Sequence, residues 1–277
     1  MADEALHKAI HAAREAVASA EKLLIAAGAG MGVDSGLPDF RGDEGFWRAY
    51  PPLRGRRFAE MADPRWFDDD PELAWGFYGH RQTLYERTAP HVGFARLRLL
   101  TDGRPDFAFV FTSNVDGHFK AAGFDADRVV ECHGSIRHRQ CTLPCGDDVW
   151  EAGPAPAVDE QTLRASGPLP RCRNCESLAR PNVLMFGDAR WVSRRTDTQV
   201  ARYAGWLERA GVRRIVAIEI GAGTAVPTVR HETARQTDVV VRINPREPNA
   251  DAWGGADVIP LPLPAAAAID ALSTPRD

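Results

Sequence analysis

The chain has 277 residues, 44% hydrophobic and 26% charged, and its 34 basic and 38 acidic residues leave a net charge of −4. That length can bury a sizeable core, and the ordinary composition excludes disordered and fibrous classes. The slight acidity gives no global support to a nucleic-acid partner, and no apolar run approaches the roughly 18 residues a membrane helix requires. The opening MADEALHKAIHAAREAV lacks the basic-then-apolar order of a secretion signal, so the expected location is cytoplasmic.

In chain order, Leu6, Ile10, Ala13 and Val17 recur at helical spacing and predict an amphipathic helix over residues 4–20. The strand-like run at residues 23–27 then feeds directly into GAGMGVDSGLPDFRG, residues 28–42. Glycines just past a strand's carboxyl end let backbone amides approach phosphate closely, which is where open α/β sheets bind nucleotides. The usual G-x-G-x-x-G fingerprint fails, because Val33 stands where its third glycine belongs. Instead Pro38, Asp39, Phe40 and Arg41 set an acid, an aromatic ring and a guanidinium beside the glycines.

Residues 72–87 read as a second helix on which Tyr78 and Arg81, three apart, share a face able to grip a carboxylate. Ordinary packing gives the same pattern. The runs at 107–112, 127–133, 213–221 and 238–244 are continuously apolar, as parallel strands buried on both faces are. Helix-compatible stretches such as 192–210 lie between them. The expected fold is therefore α/β, a Rossmann-like parallel sheet with helices on both faces. From about 134 to 187 the texture changes to prolines, glycines, arginines and paired cysteines. This stretch reads as a small zinc-binding module inserted between residues 1–133 and 188–277. The tail from residue 259 is expected to turn at its prolines and end in a helix.

Cys141 and Cys145, then Cys172 and Cys175, form a C-x3-C and C-x2-C quartet suited to tetrahedral thiolate coordination. Four protein ligands leave no open position, so the Zn²⁺ they imply is structural. Cys132 stands apart and reads as a small buried hydrophobe. Its neighbour His133 follows a buried run and precedes Gly134; an imidazole there titrates near neutrality and can accept a hydroxyl proton. Asn114 and Asp116 either cap the following helix or face the same cleft.

The order of these segments resembles that of the sirtuin family, the NAD-dependent protein lysine deacylases. Thr112-Ser113-Asn114-Val115-Asp116 is similar to its Thr-Gln-Asn-Ile-Asp, and His133-Gly134 to its His-Gly. Residues 180–188, ending Phe186-Gly187-Asp188, are similar to its segment after the zinc site. Gly221-Ala222-Gly223 and Ile243-Asn244 are similar to two of its strand ends. The resemblance spans about residues 22–260 and implies a cofactor, NAD. It assigns NAD contacts to Ala27, Gly28, Ala29, Gly30, Asp39, Phe40, Arg41, Ser113, Asn114, Asp116, Gly221, Ala222, Gly223 and Asn244.

His133 would be the general base and Asn114 its catalytic companion. An acyl-lysine protein or peptide would lie as an added strand beside residues 185–188 and 223–228, touching Phe186 and Gly187. The implied reaction releases nicotinamide, free lysine and 2′-O-acyl-ADP-ribose. Tyr78 and Arg81 resemble the Tyr-x-x-Arg of the class that removes succinyl, malonyl or glutaryl groups. Gly32 and Ser113 depart from the family's Ser and Gln, and His118-Phe119 reorders its Leu-His. Rival readings of the same cleft are an NAD glycohydrolase, a mono-ADP-ribosyltransferase or a non-catalytic NAD or ADP-ribose sensor; acyl preference and oligomeric state stay open.

Overall fold

Every strand of the main sheet runs parallel to its neighbours, and the chain builds that sheet in two halves about a central pair. The computed structural model describes residues 2–39, 42–104, 106–143, 145–211, 214–249 and 255–273. Strands β1 (Lys22–Ala27), β2 (Ala108–Thr112) and β3 (Val129–Glu131) make the first half. The chain then leaves through β4 (Gly134–Cys141), β5 (Val149–Glu151), β6 (Ala157–Asp159), β7 (Arg164–Ser166) and β8 (Ala179–Val183). It returns as β9 (Ile215–Ile220), β10 (Val239–Ile243) and β11 (Asp257–Leu261). The spatial order β3-β2-β1-β9-β10-β11 reverses direction between β1 and β9. That reversal opens a crevice at the carboxyl ends of the two strands.

The helices are α1 (Ala2–Ala18), α2 (Gly42–Ala49), α3 (Phe58–Met61), α4 (Trp66–Asp69), α5 (Pro71–Arg87), α6 (Val92–Leu99), α7 (His118–Ala121), α8 (Arg194–Ala210), α9 (Thr228–Gln236) and α10 (Ala265–Ser273). Alternate residues of β1 serve opposite faces of the sheet. Leu23, Ile25 and Ala27 pack with Ala13 of α1, Phe94 of α6 and Ile269 of α10, whereas Leu24 and Ala26 pack with Tyr203 and Trp206 of α8. All six residues of β1 are buried, and so are all those of β9 and β10, which is why these strands read as apolar runs apart from Lys22 and from Glu219 and Arg242, which pair with each other at 2.6 Å. Among the described residues no helix is long and apolar enough to cross a membrane.

A second core lies beside the sheet. The chain's excursion forms a three-stranded antiparallel sheet, β5-β4-β8, and a β6–β7 hairpin. Trp75, Phe77 and Tyr78 of α5 pack there with Ile136, Leu163, Ala165 and Val183. Periodicity alone located α5, whose start is set by Pro71 and by the Asp70 carboxylate accepting from the Leu73 amide at 3.2 Å. The apolar face of this helix packs on the excursion's strands. The tail turns at Pro262–Pro264 and ends in α10 as expected, but the first of its prolines, Pro260, lies inside β11. Pro260 is tolerated there because β11 is an edge strand, with a neighbour on one side only.

Gly76 marks how tightly α5 and the hairpin meet, since a Cβ there would lie 2.0 Å from the Leu163 carbonyl oxygen. Glycine to alanine inside a helix ordinarily stabilises by about 1 kcal/mol. Here the clash with backbone reverses the sign. We predict that Gly76→Ala lowers unfolding stability by about 1–3 kcal/mol, measured by denaturant titration.

Candidate active site

The register of the parallel sheet brings the strand ends level. Ala27 pairs with both Thr112 and Ile220, Thr112 with Glu131, and Ile243 with Ile220. Residues one or two positions beyond these ends therefore share one edge. They are Gly28, Ser113, Asn114, His133, Gly221 and Asn244, drawn from five strands and predicted separately from sequence.

Two glycine turns meet at the reversal point. The Gly28 amide donates to the Ile220 carbonyl at 2.9 Å, and the Gly30 amide donates to the Gly221 carbonyl at 3.1 Å. A Cβ on Gly30 would lie 2.6 Å from the Gly221 Cα, and one on Gly28 would lie 2.8 Å from the Ala222 Cα. Gly221 itself sits at φ 62°, where L side chains are strained. Only side-chain-free backbone fits at this crossing. The Asn114 side chain ties the arrangement to β2, its Nδ2 donating to the Gly28 carbonyl at 2.9 Å while its own amide donates to Thr112 Oγ1 at 3.0 Å.

A cavity of about 840 Å³ opens over these turns. Its wall carries Gly28, Ala29, Asp39, Ser113, Asn114, Asp116, His133, Gly221, Ala222 and Gly223 at the sheet edge, and Tyr78, Arg81 and Phe186 toward the second core. Four expected contacts stand behind that wall. Ala27 is a buried strand residue whose carbonyl accepts from Ser113 N and Thr112 Oγ1, both at 3.0 Å. Gly30 is taken up in the crossing with Gly221. Asn244 is fully buried, its Nδ2 donating to the Ala222 carbonyl at 2.8 Å and its Oδ1 accepting from the Arg246 and Glu247 amides. Gly187, at φ 66°, turns the chain so that Asp188 returns beneath it. Phe40 and Arg41 lie outside the described residues.

His133 reaches the cavity with its Nε2 3.3 Å from Thr228 Oγ1, and burial lowers its pKa from the ordinary 6.5. Its ring is thus biased toward the neutral form that accepts a proton. Burial raises the Asp116 pKa, opposed by the neighbouring His118, whose amide donates to Asp116 Oδ1 at 2.8 Å. Cys132, expected as a small buried hydrophobe, is partly buried against the α8 side of the sheet, and burial pushes its thiol up to about 12.

At the other end Arg81 is buried to 5% exposure, donating from Nε and Nη2 to Tyr85 Oη at 3.2 and 2.8 Å. Its guanidinium also lies over the rings of Phe58, Phe77 and Tyr78. Tyr85, also on the wall, was missed from sequence although it follows Arg81 by one helical turn. Arg246 and Glu247, also on the wall, carried no sequence signal.

The segment after β8 forms part of the cavity mouth, with Phe186 45% and Val226 44% exposed. A buried ion pair, Arg180 to Asp188 at 2.5 Å, holds that segment, and Asp188 also accepts from the Met185 amide. The Leu184 and Phe186 amides already donate to the His133 and Ala62 carbonyls. An incoming strand would therefore meet mainly carbonyl acceptors here.

The four paired cysteines come together as their spacing predicted. All four sulfurs lie within 4.8 Å of one another, with Cys141–Cys175 and Cys145–Cys172 at 3.6 Å. Thiolates around a zinc at about 2.3 Å stand about 3.8 Å apart, so the donor set fits that ion. It does not fit disulfides, whose sulfurs are about 2 Å apart.

Comparisons with known proteins agree with this geometry. A profile described as the Sir2 family matches residues 28–203. An NAD-dependent protein deacylase of Aquifex aeolicus is 30% identical over 222 residues, 79% of this chain and 82% of its own. One of Leptospira interrogans is 35% identical over 170 residues, a match that spans only 61% of either chain. The crystal structure of a Sir2 homologue–NAD complex superposes with a TM-score of 0.70 at 26% identity, covering 95% of this chain and 92% of that one. The chain belongs to the Sir2 family.

We predict that the purified protein carries about one zinc per chain. Cys172→Ser should bring that ratio close to zero, and thermal melting should show the second core loosened; metal analysis with melting curves measures both.

Proposed function

We propose that this protein is an NAD-dependent protein lysine deacylase acting on acyl-lysine side chains of proteins or peptides, with acidic acyl groups preferred. The observation that carries the reading is one continuous cavity. It joins a glycine cradle and an imidazole at one end to an aromatic-walled guanidinium at the other. The names of the Aquifex and Leptospira relatives, and the NAD complex of the superposed homologue, support the activity class.

The residues fit the cofactor because the crossing of Gly28–Gly30 with Gly221–Ala222 leaves backbone, not side chains, facing the cleft. Gly28, Ala29, Ser113, Asn114, Asp116 and Ala222–Gly223 would hold NAD, which when bound supplies an electrophilic ribose carbon on loss of nicotinamide. Asn114, fixed to the Gly28 carbonyl, orients its amide without reorganisation. His133 receives a hydroxyl proton at its ring nitrogen, with Thr228 beside Nε2 fixing the ring. Apolar Phe186 and Val226 at the mouth exclude water and receive the lysine stem. Tyr78 and Arg81 would meet a carboxylate at the acyl terminus. The four cysteines would hold a structural zinc distant from this chemistry. Four cysteines gathered as thiolate ligands for a metal suit a compartment that keeps thiols reduced, so we place the protein in the cytoplasm.

Mass spectrometry of NAD incubated with acetyl- and succinyl-lysine peptides tests the reading. Acyl-ADP-ribose must form only when an acyl peptide is present; free ADP-ribose alone would replace it with a glycohydrolase. The proton acceptor is the neutral imidazole, so protonating His133 inactivates it. Burial lowers its pKa, so the acid limb of kcat/KM is predicted below pH 6.5. His133→Ala should cut kcat by about a hundredfold or more and abolish that limb. Arg81→Met should reduce desuccinylation relative to deacetylation by roughly tenfold or more; equal loss of both would remove the carboxylate grip.

A further inference from the structure

Backbone and ring of His133 are held by different elements. The Leu184 amide donates to the His133 carbonyl at 2.9 Å, and a Cβ on the next residue, Gly134, would lie 2.1 Å from the Asn182 carbonyl oxygen. The main chain is therefore pinned between β3 and β8. Among the described residues the ring has one hydrogen bond, Nε2 with Thr228 Oγ1 at 3.3 Å, which leaves Nδ1 unbonded on a ring that lines the cavity. Thr228 opens α9, and its two successors fix it. Val229 and Arg230 are each 1% exposed, and Arg230 Nε and Nη2 donate to the Ala222 and Glu247 carbonyls at 3.1 and 2.7 Å. A β-branched side chain on so constrained a backbone has few rotamers, so the hydroxyl stays against the imidazole.

We infer that Thr228 is the positioning residue of the base: its hydroxyl accepts from Nε2–H, holds the imidazole in that tautomer, and so makes Nδ1 the atom that takes the ribose hydroxyl proton. The inference rests on the deacylase reading and deepens it by naming the accepting atom and the group that selects it. A neutral imidazole carries one N–H and one lone pair, and the partner of one nitrogen decides which is which. Were the hydroxyl the donor, the ring proton would sit on Nδ1 and the cavity would meet no base. With the hydroxyl as acceptor, the ribose O–H bond breaks, its proton joins Nδ1, and the electron pair stays on the attacking oxygen. The imidazolium so formed already has its Nε2–H partnered. In a Ser-His-Asp arrangement a carboxylate orients the ring and stabilises its charged form. The uncharged Thr228 hydroxyl orients without that charge, in keeping with burial as the cause of the lowered His133 pKa.

The test pairs spectroscopy of the free protein with turnover. Nitrogen–proton correlation NMR of histidine-labelled protein, with the His133 signals identified by their loss in His133→Ala, should show a protonated Nε2 and a bare Nδ1. Thr228→Val keeps the side-chain shape and removes the hydroxyl; it should give a mixture of the two tautomers. The same variant should lower kcat about tenfold while leaving the KM for NAD and for acyl peptide unchanged. Thr228→Ser, which restores the hydroxyl, should recover both the single tautomer and most of kcat. A parent ring protonated at Nδ1, a Thr228→Val enzyme with parental kcat, or a loss that Thr228→Ser fails to repair would each overturn the role of Thr228. A parent with the expected tautomer but no acyl-dependent nicotinamide release would instead overturn the deacylase reading, leaving the Thr228–His133 orientation standing.

Discussion

The structure depends on one close approach, the crossing of two backbone turns at the centre of the sheet. Gly28 and Gly30 on one side and Gly221 on the other come so near that added side-chain carbons would overlap backbone atoms. The crossing closes the gap where strand order reverses and sets the level of the cavity floor. It also fixes Asn114, which bonds to Gly28, and the 222–247 loops. Within those loops Arg230 donates to both the Ala222 and Glu247 carbonyls, while Asn244 braces the same turn from below. This polar network ties the floor of the cleft to the ends of β1, β9 and β10.

The electrostatics of the cleft follow from burial. His133 and Asp116 are both driven toward their uncharged forms by burial, whereas Arg81 keeps its charge inside an aromatic cage. One end therefore presents groups that burial biases toward their neutral forms, and the other a fixed cation. The buried Arg180–Asp188 pair belongs to neither end. Removing one partner would leave an uncompensated charge beneath the mouth, so its function is to hold residues 184–188 in place.

Much of this was readable in the amino-acid order because the signals were local. Continuous apolar runs gave the buried parallel strands, and the cysteine pairs gave the thiolate cluster. The residues just past each strand end gave most of the cavity floor, since parallel register puts such positions on one edge. What escaped depended on contacts far apart in sequence. Nothing near α5 announces that its apolar face meets β4, β7 and β8 rather than the main sheet, because a helix pattern records burial and not the identity of the partner. Pro260 looked like a turn because the open side of an edge strand has no local signature. Asn244 and Gly30 build the wall behind the cleft, at chain positions equivalent to those of residues that line it. Tyr85 was within reach, as its spacing from Arg81 is helical.

The imidazole and the buried guanidinium are anchored in different hydrophobic cores, one at the end of β3 and the other on α5. On the proposed function, substitutions along the inward face of α5 would retune which acyl chain is accepted while leaving the imidazole's surroundings untouched. Such a division would give the molecule mutational independence between what it selects and what it does, a property that favours diversification of substrate range on a constant catalytic chassis.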